Sequence, residues 1–367
     1  MERRVPFLDL RILDDQSRND LLEAINKVFL HGRFILGPEV QEFEEAIASY
    51  CGRKYAVGVN SGTDALYLGL KSLDLGRGDE VITTSLSWIA SANAIAMTGA
   101  TPVFADIRDD LNIDPLSIEK LISPKTKAIV PVHYTGKVCR MPEIMELAQK
   151  HNLIVIEDAA QAFGARLNDQ VAGSYGRIAC FSMNPMKVFA ACGEAGVVVT
   201  DEKELYDRLI YLRYNGVVNR ETCYETSLNG RMDTIQAAVL LQRLRGLSEI
   251  IETRRRFAAI YQIELAGIVD LPCESAGEWN VYYTFTIRAS RRDELKTFLE
   301  AQGVETKIQH PILMPEQPAY RNGVKGEYPN AQRLLKRILC VPCHEKLTED
   351  DIHYVIKQIK EFYRSGV

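Results

Sequence analysis

The chain has 367 residues, 46% of them hydrophobic and 25% charged, with a net charge of −5. That is ample for a large core and suggests two domains. The negative balance argues against a broad basic footprint for nucleic acid, so any phosphate is held locally.

Residues 15–30 and 38–50 read as amphipathic helices, and a regular alternation follows. KYAVGVN (54–60) is a strand and 62–72 a helix; EVITTS (80–85) is a strand and 88–98 a helix; TPVFAD (101–106) is a strand with a helix near 115–122. AIVPVH (128–133) is a strand and 142–151 a helix; LIVIED (153–158), 178–182 and 196–200 are further strands. Continuous β-branched runs alternating with helices predict a mixed, mostly parallel sheet covered on both faces. In such sheets ligands sit at the carboxyl ends of the strands. Beyond residue 200 the spacing predicts helices over 202–213 and 234–265, a strand at VYYTFTI (281–287) and helices at 291–302 and 349–364. The expected division is a large domain of residues 1–245 and a small C-terminal α+β domain of 246–367.

Arg254-Arg255-Arg256 reads as a solvated helix face. No apolar run reaches the ~18 residues of a membrane span. The opening MERRVPFLDLRILDDQ lacks a signal peptide's apolar core, so the expected compartment is the cytoplasm, with no membrane partner. In that compartment the eight cysteines read as free thiols. Cys340-Val-Pro-Cys343-His344 has the spacing of a haem or redox motif, but it lies between a strand end and a helix start, and reads as a loop. No second CxxC completes a zinc site, so no metal is expected.

Three features fall at predicted strand ends. Asn60-Ser61-Gly62-Thr63-Asp64 is a strand end, a turn and a helix start, where free amides and a hydroxyl suit a phosphate; alone it is equally an N-cap. Glu157-Asp158 follows four aliphatics, and a carboxylate there can hold a cationic ring nitrogen. Lys187 lies in the mostly apolar FSMNPMKVFAACGEAGVVVT (181–200). Alone it reads as a snorkelling surface charge; in a pocket it is an amine nucleophile. A phosphate cradle, a carboxylate and a lysine at the strand ends of one sheet are the parts a pyridoxal phosphate enzyme needs. The glycine fingerprints of NTPases and dinucleotide oxidoreductases are absent.

Over nearly its whole length the chain also resembles the DegT/StrS family of sugar aminotransferases, within the fold-type I group of pyridoxal phosphate enzymes. The resemblance rests on RFILGPEVQEFEEAIASYCG (33–52), NSGTDAL (60–66), GRGDEVITTSLSWIASANAI (76–95), IEDAAQAFGA (156–165) and the stretch around Lys187. It continues through LNGRMDTIQAAVL (228–240), HPILMPEQPAY (310–320) and VPCHEKLTEDD (341–351). It implies a large domain with a mostly parallel sheet flanked by helices, and a smaller C-terminal domain. By its motifs Lys187 is the Schiff-base lysine and proton shuttle, Asp158 pairs with the pyridinium nitrogen, Gln161 bonds the phenolic oxygen and Trp88 stacks on the ring. Gly62, Thr63, Asp64 and Ser182 belong to the phosphate site. Asn229 reaches the phosphate from a partner chain, and Arg231 and His310, also from the partner, hold the sugar nucleotide, so the resemblance implies a homodimer with shared active sites.

The implied reaction is transfer of an amino group from L-glutamate to a nucleotide-linked keto sugar. Gln161 and Pro185-Met186-Lys187 resemble members that aminate C3. The alternatives are a 4-keto sugar, a keto-cyclitol, or a catalytically silent cofactor-binding regulatory protein; a sugar dehydratase would carry histidine in place of Lys187. Met183, Ala195 and VHYTGK (132–137) depart from the commoner family pattern and bear on the sugar pocket.

Overall fold

The computed structural model describes residues 3–321 and 326–365. Its centre is a seven-stranded sheet built from β1 (Tyr55–Val59), β2 (Glu80–Thr84), β3 (Thr101–Ala105), β4 (Thr126–Val130), β5 (Ile154–Asp158), β6 (Ile178–Ser182) and β7 (Gly196–Thr200). The spatial order is β1-β7-β6-β5-β4-β2-β3. β7 runs antiparallel to both its neighbours and the other pairings are parallel. The carboxyl ends of β1 to β6 therefore share one edge. Most strand residues are buried on both faces, which is why they read as unbroken aliphatic runs.

Helices α1 (Asp15–His31), α2 (Pro38–Tyr50), α3 (Gly62–Ser72), α4 (Ala90–Met97), α5 (Pro115–Leu121), α6 (Met141–His151) and α7 (Lys203–Leu212) fill the connections. Their ends follow local chemistry. Asp14 caps α1 by accepting from Ser17 N–H at 2.6 Å, and Gly32 ends it at φ 70°. The predicted helix over 234–265 is two helices, α8 (Thr234–Leu244) and α9 (Leu247–Glu264), broken at Gly246, a poor helix former.

A second core gathers Phe257, Tyr261, Phe285, Leu295, Leu339 and Ile356, drawn from α9 onwards. It includes α10 (Arg292–Ala301), α12 (Glu349–Ser365), and the antiparallel pair β8 (Phe285–Arg288) and β9 (Ile338–Val341). Here α11 (Pro329–Leu335) packs instead with Leu86, Phe104 and Tyr134. The N-terminal segment joins this second core rather than the large sheet: Val5 bridges Val304 and its N–H donates to Gly303 C=O at 2.9 Å.

Two further sequence expectations change. The strand expected over 281–287 begins only at Phe285, because Val281 and Thr284 donate their N–H groups to Gly136 and Thr135 C=O and dock on the large domain. The Arg254-Arg255-Arg256 run is not a solvated face. Arg254 is 3% exposed and ion-paired to Glu345 at 2.7 Å, and Arg255 lies 3.6 Å over the Trp279 ring and pairs with Glu274; only Arg256 is at the surface. α9 turns these neighbours to different sides, and carboxylates from distant segments compensate the buried charges. Cys340 and Cys343 are buried free thiols. Among the described residues no helix is long and apolar enough to cross a membrane.

Candidate active site

The shared edge of parallel strands collects the expected residues. After β1, Ser61 caps α3, its Oγ accepting from Asp64 N–H at 3.0 Å. The amides of Gly62 and Thr63 open the helix with no intrahelical acceptor. Asp64's amide is already engaged by the cap, so Gly62 and Thr63 are the open donors. Ser182 ends β6 directly beneath: a Cβ added to Gly62 would fall 2.5 Å from Ser182 Cβ. A glycine is what lets the helix start approach Ser182 closely.

At the end of β5 the adjacent carboxylates take opposite roles. Glu157 is fully buried and faces away from the edge. It accepts from His133 Nε2 at 2.9 Å and from the amides of Gly173, Tyr175 and Gly176 at 2.7–2.8 Å. His133 Nδ1 accepts from Cys139 N–H at 3.1 Å, so the ring proton sits on Nε2 and points at Glu157. Burial pushes the Glu157 carboxyl up, but the His133 bond and the Gly176 and Gly173 amides outweigh it and leave it below its ordinary value.

Asp158 is 3% exposed and accepts from Ser91 Oγ at 2.7 Å and Ala160 N–H at 3.2 Å, with no cation among these donors. Burial pushes its carboxyl up against the opposing pull of those two bonds. Gln161 uses its side-chain carbonyl to accept from Thr135 N–H at 2.9 Å, which leaves the amide NH₂ for a ligand.

Lys187 follows a turn in which its N–H donates to Asn184 C=O at 2.9 Å. Its side chain is half-buried, and Nζ lies 4.6 Å from the centroid of the Tyr283 ring. A groove of about 990 Å³ also runs between Lys187, Pro185, the segment 8–14 and helices α8 and α9. Met183 and Ala195, two of the departures from the family pattern, are both fully buried and joined by a 2.8 Å backbone bond, so they belong to the core under the lysine loop.

Trp88 is 62% exposed at the end of the β2 loop, an unusual place for a large aromatic. Its ring centroid is 5.9 Å from that of His310. His310 Nδ1 in turn lies 3.1 Å from Tyr134 OH. The resemblance implied His310 from a partner; in this chain His310 lies beside its own Trp88 and Tyr134, because the loop after residue 304 folds back over the β2 and β4 ends. Burial, then the charges of Lys187 and Lys307, pulls the His310 imidazole down to about 3. His310 is thus neutral at physiological pH, and it weakens the fold as pH falls from about 6.5 towards 3, where only the unfolded chain takes the proton. In the cofactor-free protein its ring C–H resonances should not titrate between about pH 5.5 and 8, around the ordinary histidine value; a midpoint in that range would overturn this.

Asn229 and Arg231 lie elsewhere, on the outer side of β1, where Arg231 bridges Val59 and Gly230 C=O accepts from Asn60 N–H. Asn229 is exposed and accepts from Arg231 Nε at 2.8 Å, and Arg231 stacks 4.3 Å over Tyr214. Among the described residues no hydrogen bond or ring contact joins either to Lys187, Asp158 or Ser182.

Sequence reasoning missed Ser91, Tyr134, His133, Tyr283 and Arg254. Ser91 carries a weak signal, lying one helical turn after Trp88; the others become visible only when distant segments meet.

The arrangement suits pyridoxal 5′-phosphate. The glycine cradle with open amides fits an anionic phosphate. The buried Asp158, lacking a cationic hydrogen-bond partner, fits a protonated ring nitrogen, and Lys187 offers a primary amine.

Comparison with known proteins agrees. The profile of the DegT/DnrJ/EryC1/StrS aminotransferase family matches residues 15–360. The chain is 38% identical over 367 residues to a pleiotropic regulatory protein of Geobacillus stearothermophilus, covering 98% of this chain and 99% of that one. It is 40% identical over 364 residues to a dTDP-3-amino-3,4,6-trideoxy-alpha-D-glucose transaminase of Streptomyces venezuelae, covering 98% and 96%. The crystal structure of S. venezuelae DesV in complex with a ketimine intermediate superposes with a TM-score of 0.95 at 40% identity, covering 98% of each chain. With a fold-type I architecture and these matches along its whole length, the chain belongs to the DegT/DnrJ/EryC1/StrS aminotransferase family and is a pyridoxal 5′-phosphate-dependent aminotransferase.

Proposed function

We propose that this enzyme acts in the cytoplasm as a homodimer, moving the amino group of L-glutamate to C3 of a nucleotide-linked 3-keto sugar. The observation that carries the reading is the juxtaposition of Lys187, Asp158 and the Gly62–Ser182 cradle on one sheet edge, beside the exposed Trp88. When bound, the cofactor supplies an aldehyde for the amine and an electron sink for the substrate carbon.

The chain's own residues do the rest. Lys187 Nζ holds the cofactor covalently and, once released, carries a proton at the substrate carbon as general base and acid. Asp158, oriented by Ser91, keeps the ring nitrogen protonated. The Gln161 amide holds the ring oxygen, and the Gly62 and Thr63 amides with the Ser182 hydroxyl hold the phosphate. Trp88 covers the ring and His310 bounds the sugar side as a neutral donor or acceptor. Asn229, exposed on its own chain, serves the phosphate of the partner's site, with Arg231 beside it for the sugar nucleotide.

The C3 assignment is supported by Gln161, by Pro185-Met186-Lys187, and by the 3-amino product in the name of the Streptomyces relative. Matched 3-keto and 4-keto nucleotide sugars, incubated with glutamate and read by mass spectrometry, test it. The 3-keto compound should be preferred; preference for the 4-keto compound overturns the regiochemistry, and preference for a keto-cyclitol overturns the nucleotide-sugar class. Cofactor loading without turnover of any of them would favour a regulatory role, the one named for the Geobacillus relative.

A further inference from the structure

The Lys187 amine has an aromatic roof, and an unusual amount of structure holds that roof in place. Tyr283 comes from the segment joining the two cores, and its ring centroid is 4.6 Å from Lys187 Nζ. Tyr282, just before it, sits at φ 47°, a region bulky side chains rarely enter. Such strain persists only where the surroundings over-determine it.

They do so from both sides. On the large-domain side, Val281 N–H donates to Gly136 C=O at 3.1 Å and Thr284 N–H to Thr135 C=O at 3.4 Å. A Cβ on Gly136 would fall 2.8 Å from Tyr283 N, so glycine alone permits this approach. On the other side, the buried Arg254 guanidinium donates to Tyr282 C=O at 3.2 Å, to Tyr283 C=O at 3.5 Å and to Cys343 C=O at 3.3 Å, while Glu345 neutralises it at 2.7 Å. The same Thr135 donates its N–H to Gln161. One short turn therefore fixes the positions of both Gln161 and Tyr283.

We propose that Tyr283 is a positioning residue for Lys187, its ring face holding the amine over the site so that it meets the cofactor aldehyde and, later, the substrate carbon. The inference rests on the reading of Lys187 as the covalent lysine. A lysine amine sits on four rotatable bonds, and a ring face 4.6 Å from Nζ limits the positions those bonds can give it.

Tyr283→Phe keeps the ring and loses only the hydroxyl; Tyr283→Leu keeps apolar bulk and loses the π face. Each cofactor-free variant is mixed with pyridoxal 5′-phosphate, quenched with borohydride at timed intervals, and Lys187 occupancy is read by peptide mass spectrometry. The captured reaction joins amine and aldehyde as a C=N bond with loss of water, and borohydride reduces that bond. Tyr283→Leu should slow capture by about 3- to 30-fold, the range set by giving a lysine side chain back its rotamer freedom, and Tyr283→Phe should stay within about twofold of the parent at an unchanged melting temperature. Capture by Tyr283→Leu at the parent rate, or equal loss in both variants, overturns the inference. Failure of the underlying reading looks different: the parent protein itself would label no Lys187.

Discussion

Lys187→Ala should lose transamination by about 10⁴-fold or more while remaining folded, because it removes both the covalent attachment and the group that moves the proton. Among the described residues, the other amine whose charge reaches His310 is that of Lys307. Of the titratable groups around Lys187, His310 is held neutral and Asp158 is already engaged by Ser91 and Ala160. The check is a single-turnover mix with glutamate, following the colour change of the bound cofactor, alongside thermal unfolding of the cofactor-free protein. Turnover within tenfold of the parent would remove Lys187 from the chemistry. Loss of folding would instead show a structural role, which the half-exposed position of this side chain makes a poor account.

Glu157→Gln should cost about 3–5 kcal/mol of stability, the range for breaking a buried, hydrogen-bonded charge. The carboxylate accepts from His133 and from three backbone amides, all donors, and lies 3.9 Å from Arg53. A carboxamide turns an NH₂ towards at least one of those donors and leaves it buried without an acceptor. Urea denaturation of parent and variant measures the loss, and a difference under about 1 kcal/mol, a typical surface change, would refute it. The pH dependence follows from the direction of the shift. The folded value lies below the ordinary one, so the stabilisation is present above about pH 4.3, the unfolded value, and is lost as pH falls through the folded value. Because Glu157 and Asp158 are consecutive in β5, the variant should also disturb how Asp158 meets Ser91.

Much of the fold was legible because strands buried on both faces are apolar through their middles. The apolar stretches at 56–59, 81–82, 154–156 and 196–199 show this, with the polar residues falling at the strand ends. The site was legible for a related reason: a parallel sheet exposes its carboxyl ends, so Ser61-Gly62, Asp158 and Lys187 stood out as polar groups where the aliphatic runs stop. Periodicity failed at 281–284, where the alternating pattern suits a strand but the amides bond a turn from the large domain. It failed again at Arg254, whose charged neighbours made it look solvated.

The layered α/β architecture, the strand-end positions of the candidate cofactor residues and the family are readable in the amino-acid order. Each depends on local pattern and on motifs spanning a few residues. Which of Glu157 and Asp158 faces the strand-end edge, the packing of His310 against Trp88 and Tyr134 of its own chain, and the place of Tyr283 beside the lysine emerge only in three dimensions. Those outcomes depend on whether a buried charge or strained turn finds its partners, and the partners come from far along the chain: Gly173–Gly176 for Glu157, Trp88 and Tyr134 for His310, Gly136 and Arg254 for Tyr283. Burial energy is set by such meetings, and residue spacing carries no record of them.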